Sequence, residues 1–134
     1  MRGIDISHYN GWPFNANTAT PYKESDFVIV KATQSTGGYG YTDYFKKAID
    51  KALSDGKLIG AYHYADGTGA IKEADYFVSV VKPYIGKIVL ALDWETGNTP
   101  GSKNYAWGST TYAKQFMDRV YEKTGVRCLL YSGM

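Results

Sequence analysis

The sequence predicts an α/β fold, and three observations carry that prediction. Five short apolar runs alternate with segments of helical periodicity, the rhythm of successive βα units. Several runs, such as Phe27-Val28-Ile29-Val30 and Ile88-Val89-Leu90-Ala91-Leu92, are almost unbroken, as in parallel strands covered on both faces. With 134 residues the chain holds one domain with a real core and is too short for two ordinary ones.

The extended segments are expected at Gly3 to Tyr9, Asp26 to Thr33, Lys57 to Tyr64, Lys87 to Trp94 and Val126 to Ser132. The connection between the first two contains Pro13 and Pro21 and reads as irregular. A helix follows the second strand, because Tyr44, Phe45, Ala48, Ile49, Ala52 and Leu53 recur at helical spacing between starting signals at Thr42 and Asp43 and a stop at Gly56. Another is expected over Ala70 to Val81, with Ile71, Ala74, Phe77, Val78 and Val81 on one face and Pro83 ending it. A third follows Ser109, carries Ala113, Phe116, Met117, Val120 and Tyr121, and stops at Gly125. Right-handed crossovers between such strands build either an open doubly wound sheet or a barrel, and pattern alone does not choose. Both put ligand chemistry at the carboxyl ends of the strands, where Asp5, Ser7, Lys31, Tyr62, His63, Asp93, Glu95, Tyr131 and Ser132 fall. The polar loop from Thr96 to Gly108 follows the acidic pair and is placed to shape a groove.

Composition excludes several classes of function. A net charge of +2, with 15 basic residues scattered along the chain, gives no patch for nucleic acid. No segment nears the roughly 18 consecutive apolar residues of a membrane span. The start Met-Arg-Gly-Ile-Asp lacks the basic and apolar regions of a signal peptide, so synthesis in the cytoplasm without one is expected. Cys128 lies in an apolar run and reads as core. Tyrosine is abundant, 13 residues, and its flat apolar face with a hydroxyl suits sugars as well as ordinary packing.

The chemistry concentrates in Leu92-Asp93-Trp94-Glu95. Residues two apart on a strand share a face, so Asp93 and Glu95 share one site, with Leu90, Leu92 and Trp94 turned toward the helices. Two carboxylates at the mouth of an apolar interior resist joint ionisation, so one is expected to hold a proton for delivery. Glycoside hydrolysis needs that division between a protonated acid and a second carboxylate. The competing reading has Asp93 capping a loop and Glu95 solvated, and spacing alone leaves both open.

Other constellations are weaker. Gly37-Gly38-Tyr39-Gly40 lacks the residues of a phosphate or dinucleotide loop and reads as a turn, so no cofactor is expected. His8 and His63 lack metal-ligand spacing and read as hydrogen-bonded structural histidines, so no metal is expected. A doubly wound protein binding a metal at its acidic strand ends is the third reading.

Gly3-Ile4-Asp5-Ile6-Ser7, Phe27 to Thr33, Gly60-Ala61-Tyr62-His63-Tyr64 and Leu92-Asp93-Trp94-Glu95, in this order and spacing, resemble the successive strand motifs of glycoside hydrolase family 25, the N-acetylmuramidases of phages, bacteria and some fungi. Leu130-Tyr131-Ser132 resembles the family's fifth strand, so the likeness covers essentially residues 1–134 as one catalytic domain. The resemblance implies a (β/α) barrel of the modified TIM type that cuts the β-1,4 bond between N-acetylmuramic acid and N-acetylglucosamine in bacterial peptidoglycan. It implies Glu95 as general acid, Asp93 assisting at the sugar carbon or orienting the acetamido group, and Asp5 completing the acidic floor. Lys31, Tyr41, Tyr62 and Tyr131 match groove positions. Family members continue through three further strands, so this chain is expected to be incomplete after the fifth, a fragment or a unit that self-associates to cover its edges. A wall-glycan-binding or assembly module without cleavage is the alternative function.

Overall fold

The structure is a computed structural model that describes residues 1–37, 41–95 and 109–133. Five strands form one sheet: β1 (Gly3–Ile6), β2 (Phe27–Gln34), β3 (Leu58–Tyr64), β4 (Ile88–Asp93) and β5 (Leu129–Tyr131). All neighbours are parallel and the spatial order is the chain order. That order decides between the two architectures left open by the sequence. A doubly wound sheet reverses direction at a switch point and sends helices to both faces, whereas uninterrupted right-handed crossovers keep them on one side and curl the sheet. The result is a curled half-barrel, and the doubly wound reading is set aside.

Four helices cover the convex face: α1 (Ala16–Glu24), α2 (Tyr41–Ser54), α3 (Ala70–Val81) and α4 (Thr110–Thr124). The last three lie where periodicity placed them. Ser109 caps α4 by accepting from the Tyr112 amide, and Gly125, at φ 71°, turns the chain out of it. Helix α1 is a correction, since Pro13 before it and Pro21 within it suggested irregular chain. Asn15 caps it by accepting from the Thr18 amide, and Pro21, deep in the helix, leaves the carbonyl of Asn17 without its helical donor. Asn17 is exposed, so water can serve that carbonyl.

Strand ends also differ from expectation. β1 stops at Ile6 rather than Tyr9, because Asn10 folds back on Ser7, its side chain accepting from the Ser7 amide and its own amide donating to the Ser7 carbonyl. A short 3-10 turn, His8–Asn10, follows. β4 ends at Asp93, so Glu95 stands two residues beyond it.

The core lies between sheet and helices. Val28, Val30, Ile59, Ala61, Leu90 and Leu92 face Phe45, Ile49, Phe77, Phe116 and Val120, all essentially buried. Cys128 is buried as expected, and burial pushes its thiol up to about 12. Unbroken apolar runs suggested cover on both faces, yet on the concave face Leu58, Val89 and Leu129 remain 59 %, 50 % and 57 % exposed. Among the described residues no helix is long and apolar enough to cross a membrane.

Candidate active site

The carboxyl ends of the strands bring the predicted acidic residues together. Asp5 on β1, Tyr62 on β3, Asp93 at the end of β4, Glu95 beyond it and Tyr131 at the end of β5 line one cavity of about 320 Å³, floored by Ile29 and Ala91. Strand register produces this convergence, because Tyr62 pairs with Ala91 and Asp93 pairs with both Tyr64 and Tyr131. Two backbone bonds hold the fourth strand's end between its neighbours. The Ala65 amide donates to the Asp93 carbonyl at 2.9 Å and the Trp94 amide to the Tyr131 carbonyl at 2.9 Å. Glu95 therefore leaves the strand but still turns into the cavity with Asp93, while Trp94 packs toward the core. It rests against Gly133, where an added Cβ would stand 3.3 Å from Glu95 Oε2.

Asp93 sits where its protonated form is favoured. Burial pushes its carboxyl up to about 7, Glu95 and Asp5 add to the rise, and Lys31 opposes it. Asp93 Oδ1 is buried without a protein hydrogen-bond partner among the described residues. Burial likewise raises the Tyr62 hydroxyl, helped by the charges of Asp93, Asp5 and Glu95, so it stays a neutral donor.

Lys31 and Tyr41 do not line this cavity; they stand beside it. Burial brings the Lys31 ammonium down to about 8 against the pull of Asp93 and Asp66. Lys31 Nζ lies 4.5 Å from the centre of the Tyr41 ring and 4.9 Å from that of Tyr64, between two aromatic faces that stabilise a cation. It donates to Gln34 Oε1 at 2.5 Å. Gln34 was missed by sequence reading, because alternation places it on the opposite face from Lys31.

The two histidines part company. His63 is wholly buried and hydrogen-bonded on the helix side, as a structural histidine should be. His8 packs at a tilt against the rings of Tyr9 and Tyr41, at 3.9 and 4.4 Å, and its Nδ1 is buried without a partner among the described residues. Among the described residues, no three His, Cys, Asp or Glu side chains converge in a metal-binding arrangement. A larger outer groove of about 570 Å³, lined by Trp12, Phe14 and Tyr22, offers only Asp55 as a carboxylate, already tied to Lys51 and Tyr22. The loop from Thr96 to Gly108 and the turn at Gly38 to Gly40 lie outside the described residues.

Sequential parallel βα units curled into a half-barrel, with acidic side chains gathered at the carboxyl ends of the strands, make this an α/β protein with a candidate site at those ends. The chain belongs to the glycosyl hydrolases family 25, whose family model matches residues 4–134. The catalytic domain of endolysin ply40 from bacteriophage P40 of Listeria monocytogenes is similar, with 28 % identity and a TM-score of 0.70 over 98 % of this chain and 62 % of that one. A muramidase from Acremonium alcalophilum superposes with a TM-score of 0.75 at 22 % identity, over 97 % of this chain and 64 % of that one. A family 25 glycosyl hydrolase from Bacillus anthracis gives 0.73 at 20 % identity, over 97 % and 59 %. The latter two establish likeness of fold. This chain spans about three fifths of the length of each of these structures. No curated protein sequence matches it.

Proposed function

We propose that this protein is a peptidoglycan hydrolase that cleaves the β-1,4 bond between N-acetylmuramic acid and N-acetylglucosamine in the bacterial cell wall. The observation that carries the reading is the convergence of Asp93 and Glu95 on one cavity, with one carboxyl raised to near neutrality. Family membership and an endolysin catalytic domain among the similar structures support it. A barrel of the modified TIM type, of which the five strands would be the first part, is the architecture this reading requires.

In the proposed reaction Glu95 protonates the glycosidic oxygen as the bond to the anomeric carbon breaks. The substrate's own acetamido carbonyl oxygen attacks that carbon from the other side, forming a ring cation that water then opens, returning the proton to Glu95. Asp93 assists by accepting the acetamido N–H. Accepting that N–H favours the ionised form of Asp93. Asp5 extends the negative field beneath the developing positive charge, and Tyr62, Tyr131, Lys31 and Tyr41 border the sugar.

Glu95→Gln tests the assignment: release of soluble saccharide from purified peptidoglycan should fall by about 10² to 10⁴-fold with folding intact. Undiminished release would sink it. Product anomers read by NMR soon after cleavage should retain configuration, and inverted product would exclude attack by the acetamido group.

The exposed concave face favours a second reading, a wall-glycan-binding or assembly unit that self-associates or is covered by further strands. Light scattering of the chain together with peptidoglycan separates the two, since binding without saccharide release belongs to the second alone.

A further inference from the structure

A buried cluster on the helix side, outside the cavity, organises the end of β2. Glu73 of α3 and His63 of β3 are both fully buried, with His63 Nε2 2.8 Å from Glu73 Oε2. Burial alone would raise the Glu73 carboxyl, but the bonds from His63 and Tyr112 outweigh it and hold the group ionised. Tyr112 donates to Glu73 Oε2 at 2.6 Å, and the Asp66 amide, the Thr68 hydroxyl and the Gly69 amide also donate to the carboxylate. Burial, opposed by Glu73 and Asp66 and aided by Lys31, keeps His63 neutral. An ionised Glu73 offers no proton, so His63 carries its single hydrogen on Nε2 and its Nδ1 is an acceptor. The Thr33 hydroxyl, 2.8 Å away, donates to it.

That bond breaks the alternation of β2. Lys31 pairs with Tyr62 and Thr33 with His63, so β2 carries one extra residue between them, a bulge at Ala32. Without it, Thr33 would share the cavity side with Lys31, Ala32 would oppose His63, and Nδ1 would be a buried acceptor lacking a donor. With it, Thr33 turns to the helices and Gln34, three residues from Lys31, comes round to the cavity side and takes the ammonium at 2.5 Å.

We infer that Glu73, His63 and Thr33 are positioning residues: they pin the bulge at Ala32 and thereby hold Lys31, tethered to Gln34, toward Asp93. Only the consequence for turnover rests on the function proposed above. Asp93 faces Glu95 from beyond its own strand, Lys31 from β2, Asp5 from β1 and Tyr62 from β3, and Lys31 is the cation among them.

The test is a ¹³C NMR titration of the Asp93 carboxyl in the protein, with thermal melts run in parallel. Lys31→Met should raise the titration midpoint by about 1 pH unit, because an opposite charge is lost. Thr33→Val should raise it by about half as much, Thr33→Ser should restore it, and Thr33→Val should add nothing on the Lys31→Met background. A wild-type midpoint in Thr33→Val, full additivity of the two changes, or no response to Lys31→Met would each overturn the inference. Should Thr33→Val fail to fold, Gln34→Leu, which leaves the buried cluster intact, must raise the midpoint, and an unchanged midpoint would overturn it as well. A wild-type protein that releases no saccharide while Asp93 responds as described would refute the proposed function and leave the positioning role standing.

Discussion

Lys31 Nζ donates to Gln34 Oε1 at 2.5 Å although the two residues, three apart on one strand, belong to opposite faces by alternation. The bulge that reconciles them is set on the far side of the sheet, where Thr33 meets His63. The polar end of β2 is thus arranged from within the core.

Asp93 should make the fold sensitive to pH near neutrality. Burial pushes its carboxyl up to about 7 from 3.8 for the free group, so the folded state binds the extra proton between those values. Its contribution to stability is complete below about pH 4 and is lost as pH rises through 7. Asp93→Asn should therefore gain stability relative to wild type across that interval, on the order of 1 to 2 kcal/mol after solvent screening. Urea unfolding at pH 4.5 and 7.5 measures it, and a gain equal at both would contradict the assignment.

The buried cluster acts in the opposite direction. His63 and Glu73 are both held below their ordinary values, so each binds more protons unfolded than folded and stability is lost as pH falls. The loss should begin below about pH 6.5, where an unfolded histidine protonates. In Asp93→Asn, with the opposing group removed, the urea midpoint should fall more steeply from pH 7 to 5 than in wild type. Glu73→Gln leaves five donors facing a poorer acceptor and should cost about 2 to 4 kcal/mol at pH 7.

Adjacent residues on β4 should respond very differently. Leu90 is fully buried against the helices and Val89 is half exposed on the concave face. Leu90→Ala should cost about 2 to 5 kcal/mol through lost burial and a cavity, and Val89→Ala under about 1 kcal/mol. Denaturant unfolding of the chain compares them; similar costs would mean that the concave face is covered in solution.

Gly133 should be sensitive through Glu95. A methyl group there would stand 3.3 Å from Glu95 Oε2 and displace the carboxyl by a few tenths of an ångström. Gly133→Ala is expected to lower the rate of saccharide release roughly 3- to 10-fold with the melting temperature unchanged. An unaltered rate would show that Glu95 tolerates the shift.

Much of this was legible in the residues themselves. The strands at Val28, Ile59 and Leu90 and the helices at Phe45, Phe77 and Phe116 announce themselves by period, because each element must bury one apolar face regardless of its partners. Asp93 and Glu95 were found by spacing beside an apolar strand, a local relationship that survives even though the strand ends between them. Tertiary structure decided the remainder. Strand order separated a curled half-barrel from a doubly wound sheet, since periodicity says nothing about neighbours. Helix α1 formed despite Pro21, with the residue whose carbonyl loses its donor, Asn17, on the exposed side, and Gln34 reached Lys31 because a histidine thirty residues from Thr33 required a donor. Periodic burial is written in the chain one residue at a time, whereas the satisfaction of buried polar groups depends on what the fold places opposite them.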